Sequence, residues 1–194
     1  MRTLFRIIAF TLATQPAIAQ EYGKFEGRLI LEDVADAYDP DPEGNVDPGW
    51  TEFALLNDYS FVDSRGQRWT APRGTVVNGA SIPKAAWSIM GGPWSGRHRN
   101  AAVIHDYHCA ELISNSETVH RLFYDGLRAN GVSKSKAKVM YYAVLVGGSD
   151  WNEGASFNGV TFGQVTEEEL QKLQDSGALD GLSLTEIELR ASGQ

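Results

Sequence analysis

Apolar and polar positions change period along this chain. Between Phe25 and Val77 they alternate with a period of two in short runs, and beyond Arg97 they recur at helical spacing. Phe25 to Leu31 reads as one strand. Trp50 to Leu56 and Tyr59 to Asp63 read as two more, on either side of Asn57-Asp58. Ser64-Arg65-Gly66-Gln67 is a hairpin turn from which Arg68 to Ala71 returns. Pro72-Arg73-Gly74 turns again, and Thr75 to Val77 is a last short strand. Pro83 starts a helical turn through Trp87, and the Gly- and Pro-rich Met90 to Gly96 is a loop.

The helical part begins with Arg97 to about Ile113, where Ala102, Ile104, His105 and Cys109 share a face. Ser114-Asn115-Ser116 interrupts it, and Ser114 with Glu117 has capping-box spacing. A second helix runs to about Asn130 on an apolar stripe of Val119, Leu122, Phe123 and Leu127, with Asn130-Gly131 as its C-cap. Ser133 opens a third, whose inward side is Val139, Met140, Ala143, Val144 and Val146 and which ends at Gly147-Gly148. Trp151 to Gln164 is loop with one strand. Thr166 opens a short acidic helix, and Ser183 to Ala191 forms the last. The pattern predicts an α+β fold: a small antiparallel β portion beside a three-helix unit, followed by short C-terminal helices.

Composition and charge narrow the setting. Arg2 and Arg6, the apolar run Ile7 to Ala13 and the small-x-small Ala17-Ile18-Ala19 form a signal-peptide pattern over residues 1–19. The expected mature chain is a single domain, residues 20–194, in the periplasm or secreted. The full chain carries a formal charge of −8, and loss of the two arginines takes it to −10. That balance excludes a nucleic-acid partner, and no later stretch is long and apolar enough for a transmembrane anchor. With Cys109 the only cysteine, there is no internal disulfide. The acidic, Pro-rich segment 32–49 has carboxylates for a hard cation, yet its spacing matches no calcium loop; a solvated insertion is the simpler reading.

Candidate chemistry gathers between Val77 and Tyr124. A Gly-bearing loop, Asn78-Gly79-Ala80-Ser81-Ile82-Pro83, precedes a helix carrying His105-Asp106-Tyr107 and a second carrying His120. An imidazole titrates near neutrality and suits a general base. Asp106 projects about 100° away from it around the helix, toward the preceding loop. There, with the Asn78 side chain and the Gly79 carbonyl, it would make an oxygen-rich calcium site. An antiparallel second helix brings residue 120 or 125 opposite His105 as its orienter. The plain alternative is a core histidine with its hydrogen bonds satisfied inside the fold. Three other readings stay open: a His105–Cys109 pair at i, i+4 against a buried structural thiol; zinc ligation by His105, His108 and His120; and His98 between Arg97 and Arg99 as a solvated helix start or small anion site.

The order Asn-Gly-Ala-Ser-Ile-Pro, then Ala-Ala-Val-Ile-His-Asp-Tyr, then Phe-Tyr-Asp-Gly-Leu resembles a family of unassigned activity in bacteria and tailed phages, over about residues 53–148. A more distant likeness is to prokaryotic secreted phospholipase A2, where a calcium-binding loop precedes a helix with His-Asp and a later helix orients the His with an Asp. That resemblance implies His105 as base, His120 in the orienting position, and Asn78, Gly79 and Asp106 as calcium ligands. Asn78 stands where that loop has Asp and His120 where the orienting Asp is expected, and the disulfides of that class are missing. Each of the two replacements removes one carboxylate, which weakens calcium binding and base activation. The resulting expectation is a slow or inactive calcium-dependent lipid-ester hydrolase acting on phospholipid. The alternative is a non-catalytic exported binding or structural protein whose partner is another envelope component.

Overall fold

In the computed structural model, residues 21–34, 52–79, 82–92 and 94–193 are described. The signal-peptide segment, most of the acidic segment and Ala80-Ser81 of the loop motif lie outside the described residues.

The hairpin is the simplest piece. Tyr59–Asp63 (β4) and Arg68–Ala71 (β5) pair antiparallel with Tyr59 opposite Ala71 and Phe61 opposite Trp69. These residues are all buried, so one face of the hairpin is a continuous apolar surface. The turn between them closes on Asp63, whose carboxylate accepts the backbone N–H of Arg65 and of Gln67, both at 2.9 Å, and the indole N–H of Trp69 at 3.3 Å.

Gly23–Glu26 (β1) pairs on the other side of β4, with Phe25 opposite Phe61, and makes the sheet order β1-β4-β5. Here the expected strand Phe25 to Leu31 is corrected. It breaks after Glu26, and Leu31–Asp33 (β2) joins a second antiparallel sheet with Phe53–Leu55 (β3) and Val76–Val77 (β6), in the order β2-β3-β6. Alternation alone cannot register such a break, because the residues on both sides of it suit strands.

Two short turns of helix, Lys84–Ala86 and Trp87–Met90 (α1), follow the loop. The helical unit is Arg99–Ala110 (α2), Ser116–Ala129 (α3) and Lys134–Gly147 (α4). The first of these ends three residues before the expected Ile113. Its Glu111 and Ile113 N–H groups still bond back to Tyr107 and His108, but Leu112 and Ser114 take φ of 51° and 64°. The next helix is capped not by Ser114 but by Asn115, whose side chain accepts the N–H of Thr118 at 2.8 Å. Its position, three residues before Thr118, is the usual cap geometry. The expected caps at Ser133 and Thr166 are present, and Ser183 with Glu186 forms a full capping box.

Helices α2 and α3 cross closely because Gly126 faces Ala101; a Cβ on Gly126 would lie 3.0 Å from that of Ala101 and 3.2 Å from the ring of Phe25. The sheet β1-β4-β5 covers one side of this pair, burying Val103, Ile104 and Leu122 with Tyr59, Phe61 and Trp69, and Leu55 of the second sheet joins the same cluster. Helix α4 covers the other side with Ala137, Met140, Ala143 and Val144. The short Ser149–Asp150 (β7) pairs with Thr161–Phe162 (β8). Glu167–Ser176 (α5) and Leu184–Ala191 (α6) lie against α4. Buried Lys138 of α4 holds their connection by donating to the carbonyls of Leu179, Asp180 and Leu182 at 2.9, 2.7 and 2.5 Å. The architecture is α+β, as the hydrophobic pattern predicted.

Candidate functional site

The loop and the helix of the motif meet at Asp106. Its Oδ2 accepts the backbone N–H of Asn78 at 2.9 Å and of Gly79 at 3.0 Å, and the residue is only 7% exposed. Gly79 has φ of 75°, in the left-handed region that favours glycine, and this turn of the chain aims two successive N–H groups at one oxygen. Its own carbonyl accepts the N–H of Ile82 at 3.1 Å. The sequence brings Asn78, Gly79 and Asp106 together as expected, yet through N–H donors. A calcium ion is held by oxygen lone pairs, and the groups facing this carboxylate oxygen are of the opposite polarity.

His105, one residue earlier on α2, points elsewhere. Its Nε2 lies 2.9 Å from Nδ1 of His120 on α3, and Nε2 of His120 lies 2.9 Å from the carbonyl oxygen of Ser149 on β7. A carbonyl can only accept, so His120 carries its proton on Nε2 and its Nδ1 accepts from His105. The direction of the relay is thereby set: His105 N–H to His120, His120 N–H to Ser149. Of the two expected positions, residue 120 faces His105, and residue 125 does not.

Both rings are dry. His105 is fully buried and His120 is 2% exposed. Phe123 packs at 4.8 Å from the His105 ring, and Trp151 edges the His120 ring at 6.0 Å. Burial disfavours the imidazolium. It pulls His105 well below the usual histidine value, with the neighbouring His120 and His108 acting in the same direction. It pulls His120 down to about 4, against the opposing pull of the Ser149 carbonyl and of Asp150. Both imidazoles are therefore neutral at pH 7.

Cys109, one turn along α2, places its Sγ 3.5 Å from His105 Nε2 and 3.8 Å from Nδ1. The three side chains His105, Cys109 and His120 present their ligand atoms within 4.8 Å of one another, all buried. His108 is not part of this group. It turns its Nδ1 onto the Ile104 carbonyl at 2.7 Å and sits against Trp69. His98 is also buried, at 2% exposure, with Nε2 on the Gly92 carbonyl at 2.9 Å; it is neither a solvated helix start nor turned to an anion.

On the outer side of α3 lies a different environment, a cavity of about 370 Å³ between the β4–β5 hairpin and the helix. Arg65, Trp69, Arg121 and Asp125 are among its walls. Burial raises the Asp125 carboxyl to about 6, although Arg121 acts to lower it. Sequence reasoning missed two groups, one behind the His105–His120 pair and one at the cavity. The Ser149 carbonyl is a backbone group with no residue-type signal. Asp63 reads as a strand-end polar residue until its hairpin is closed around it.

A family model covers this same region. Residues 53–144 match the family model described as "Protein of unknown function (DUF1353)", from β3 through most of α4. Over 99 residues, 51% of this chain and 30% of the relative, the chain is 52% identical to an uncharacterised protein, y4jT, of Sinorhizobium fredii (strain NBRC 101917 / NGR234). Over 110 residues, 56% of this chain and 46% of the relative, it is 40% identical to a second, y4iH, of the same organism. The chain spans less than half the length of these curated relatives. No solved structure matches it. These likenesses support an uncharacterised family and carry no assigned activity; the phospholipase likeness finds no support among them.

Proposed function

We propose that this is an exported, non-catalytic binding or structural domain in which the loop-and-helix motif is an internal lock. One observation carries the reading: both polar side chains of the His-Asp motif are engaged within the fold. Asp106 holds the Asn78-Gly79 turn, and His105 is sealed in a neutral relay through His120 to Ser149. A general base must reach its proton directly or through one water, and a ring with no exposed surface does neither in this state. No helix among the described residues is long and apolar enough to cross a membrane. The face open to a partner is the outer side of the second sheet. There Leu56, just past β3, donates its N–H to the carbonyl of Ile30, just before β2, and Val76 of β6 pairs with Ala54 two residues along; Ile30, Leu56 and Val76 are all more than 40% exposed.

A second reading has one specific observation in its favour. His120 stands on the second helix at hydrogen-bond distance from His105, which is where the orienter of a phospholipase-like base belongs. The two readings part in one assay: the mature chain, His105→Ala, His120→Asp and Asn78→Asp against fluorescent phospholipid at several calcium concentrations. The lock reading expects no turnover from any folded variant. Calcium-dependent turnover that His105→Ala abolishes and His120→Asp raises would establish the hydrolase and remove the lock reading.

A further inference from the structure

We infer that His105, Cys109 and His120 form a binding site for a thiophilic transition-metal ion of the zinc(II) or copper(I) class. The site goes beyond the lock reading and adds to the same junction a ligand that would fasten α2 to α3.

Three features of the geometry point there. The donors are two imidazole nitrogens and one thiol sulfur with no carboxylate among them, a set that suits zinc and copper(I) and excludes calcium and magnesium. The spacing fits. Zinc bonds to nitrogen at about 2.0–2.1 Å and to sulfur at about 2.3 Å, which sets ligand atoms roughly 3.3–3.6 Å apart around a tetrahedron. The Cys109 Sγ to His105 Nε2 separation is already 3.5 Å, and the 2.9 Å between the rings needs to open by only a few tenths of an ångström; the third pair, Cys109 and His120, lies within 4.8 Å and has to close toward the same range. The outer contact of one histidine fits as well. Ligating histidines characteristically donate their other N–H to a carbonyl or carboxylate, which fixes the tautomer and aims the bare nitrogen at the metal. His120 does this through Nε2 to Ser149, leaving Nδ1 turned into the cluster.

The i, i+4 spacing of His105 and Cys109 puts two donors on one face of one helix, and α3 supplies the third from across the interface. Trp151 and Val119 close over the thiol in one apolar cluster, so the site is dry. On binding, the Cys109 S–H bond breaks, sulfur bonds the ion and the proton passes to buffer. His105 carries its single ring proton on Nδ1 instead of Nε2, so the net release is one proton per ion.

The test uses the full chain, reduced and stripped with chelator, then titrated with cobalt(II) as a spectroscopic stand-in for zinc. The expected result is one ion per chain, a thiolate-to-cobalt charge-transfer band with tetrahedral ligand-field bands, and displacement by zinc or by copper(I). Whichever of the two displaces cobalt at the lower concentration identifies the preferred ion. Cys109→Ser should abolish the charge-transfer band and weaken binding by more than the roughly 10–100-fold that losing a ligand's hydrogen-bond partner costs, with circular dichroism unchanged. His98→Gln, a buried histidine outside the cluster, should leave binding as it was. His120→Ala, which removes a second ligand, should also weaken cobalt binding; if it does not fold, Cys109→Ser alone carries the decision. Absence of the charge-transfer band, or equal binding by Cys109→Ser, overturns the site. Neither outcome touches the phospholipid assay, so the metal site and the lock reading fail separately.

Discussion

His120 and Asp125 sit five residues apart on one helix, about 140° around its axis, and meet opposite surroundings. His120 faces inward to two rings and a carbonyl; Asp125 faces a charged cavity between two arginines. Burial favours the neutral form in both cases, lowering the imidazole to about 4 and raising the carboxyl to about 6. The inner group has both ring nitrogens matched within the fold, whereas the arginines near the outer one are paired to other carboxylates, Arg121 to Glu188 and Arg65 to Asp63. A polar residue on a helix is thus a lock or a solvated group according to what the rest of the chain brings to it. The same contrast separates Asp106, held by two loop N–H groups, from Asp125.

Removing an inner group should therefore cost far more than removing the outer one. The largest effect is expected from Asp106→Ala, which strands the N–H groups of Asn78 and Gly79. At about 1–3 kcal/mol for each unsatisfied buried donor, and more because the acceptor is charged, urea unfolding should show a loss of about 3–5 kcal/mol. His120→Ala strands the His105 N–H and the Ser149 carbonyl and should cost about 2–4 kcal/mol. A loss below about 1 kcal/mol in either variant would break the comparison.

Acid should expose the same contrast in the metal-free chain. The unfolded imidazole titrates near 6.5, the folded His120 near 4. Between these values the unfolded state binds the proton that the folded state refuses, so stability falls as pH drops from about 6.5 to 4. At about 1.4 kcal/mol per pH unit, His120 alone removes about 3 kcal/mol, and His105 adds in the same direction. Asp125 works against this. Its folded value of about 6 lies above its ordinary 3.8, so the folded state binds that proton first and gains stability as pH drops through the same window. Its share is smaller, because the group is partly open to water. Asp125→Asn should accordingly shift stability at pH 7 by only about 0.5 kcal/mol, the smallest effect of the set, while making the acid loss steeper. Denaturant midpoints of wild type and variant at pH 7, 6, 5 and 4 check both statements.

Much of this was legible in the sequence, for physical reasons. The hairpin Tyr59 to Ala71 and the helix stripes at Val119, Leu122, Phe123 and Leu127 follow from periodicity, because one face of each had to be buried. That residue 120 or 125 would face His105 followed from two antiparallel helices with a short break, and the structure selects His120. Other features depend on groups without residue identity. The turning of Asn78 and Gly79 N–H toward Asp106, the Ser149 carbonyl behind His120, and the break between β1 and β2 are backbone events. The inclusion of Cys109 beside the two rings was visible as i, i+4 spacing, but its closeness to His120 needed the helix crossing that Gly126 permits.

The central claim is that the His105–His120 relay is neutral, dry and directed toward Ser149. Long-range proton–nitrogen correlation spectra of the imidazoles, recorded on metal-free protein from pH 8 to 4, test it most directly. The expected spectra show His120 as the Nε2–H tautomer with a bare Nδ1, and neither ring taking up a proton near 6.5. A ring of this pair that titrates near 6.5, or His120 carrying its proton on Nδ1, would contradict the account.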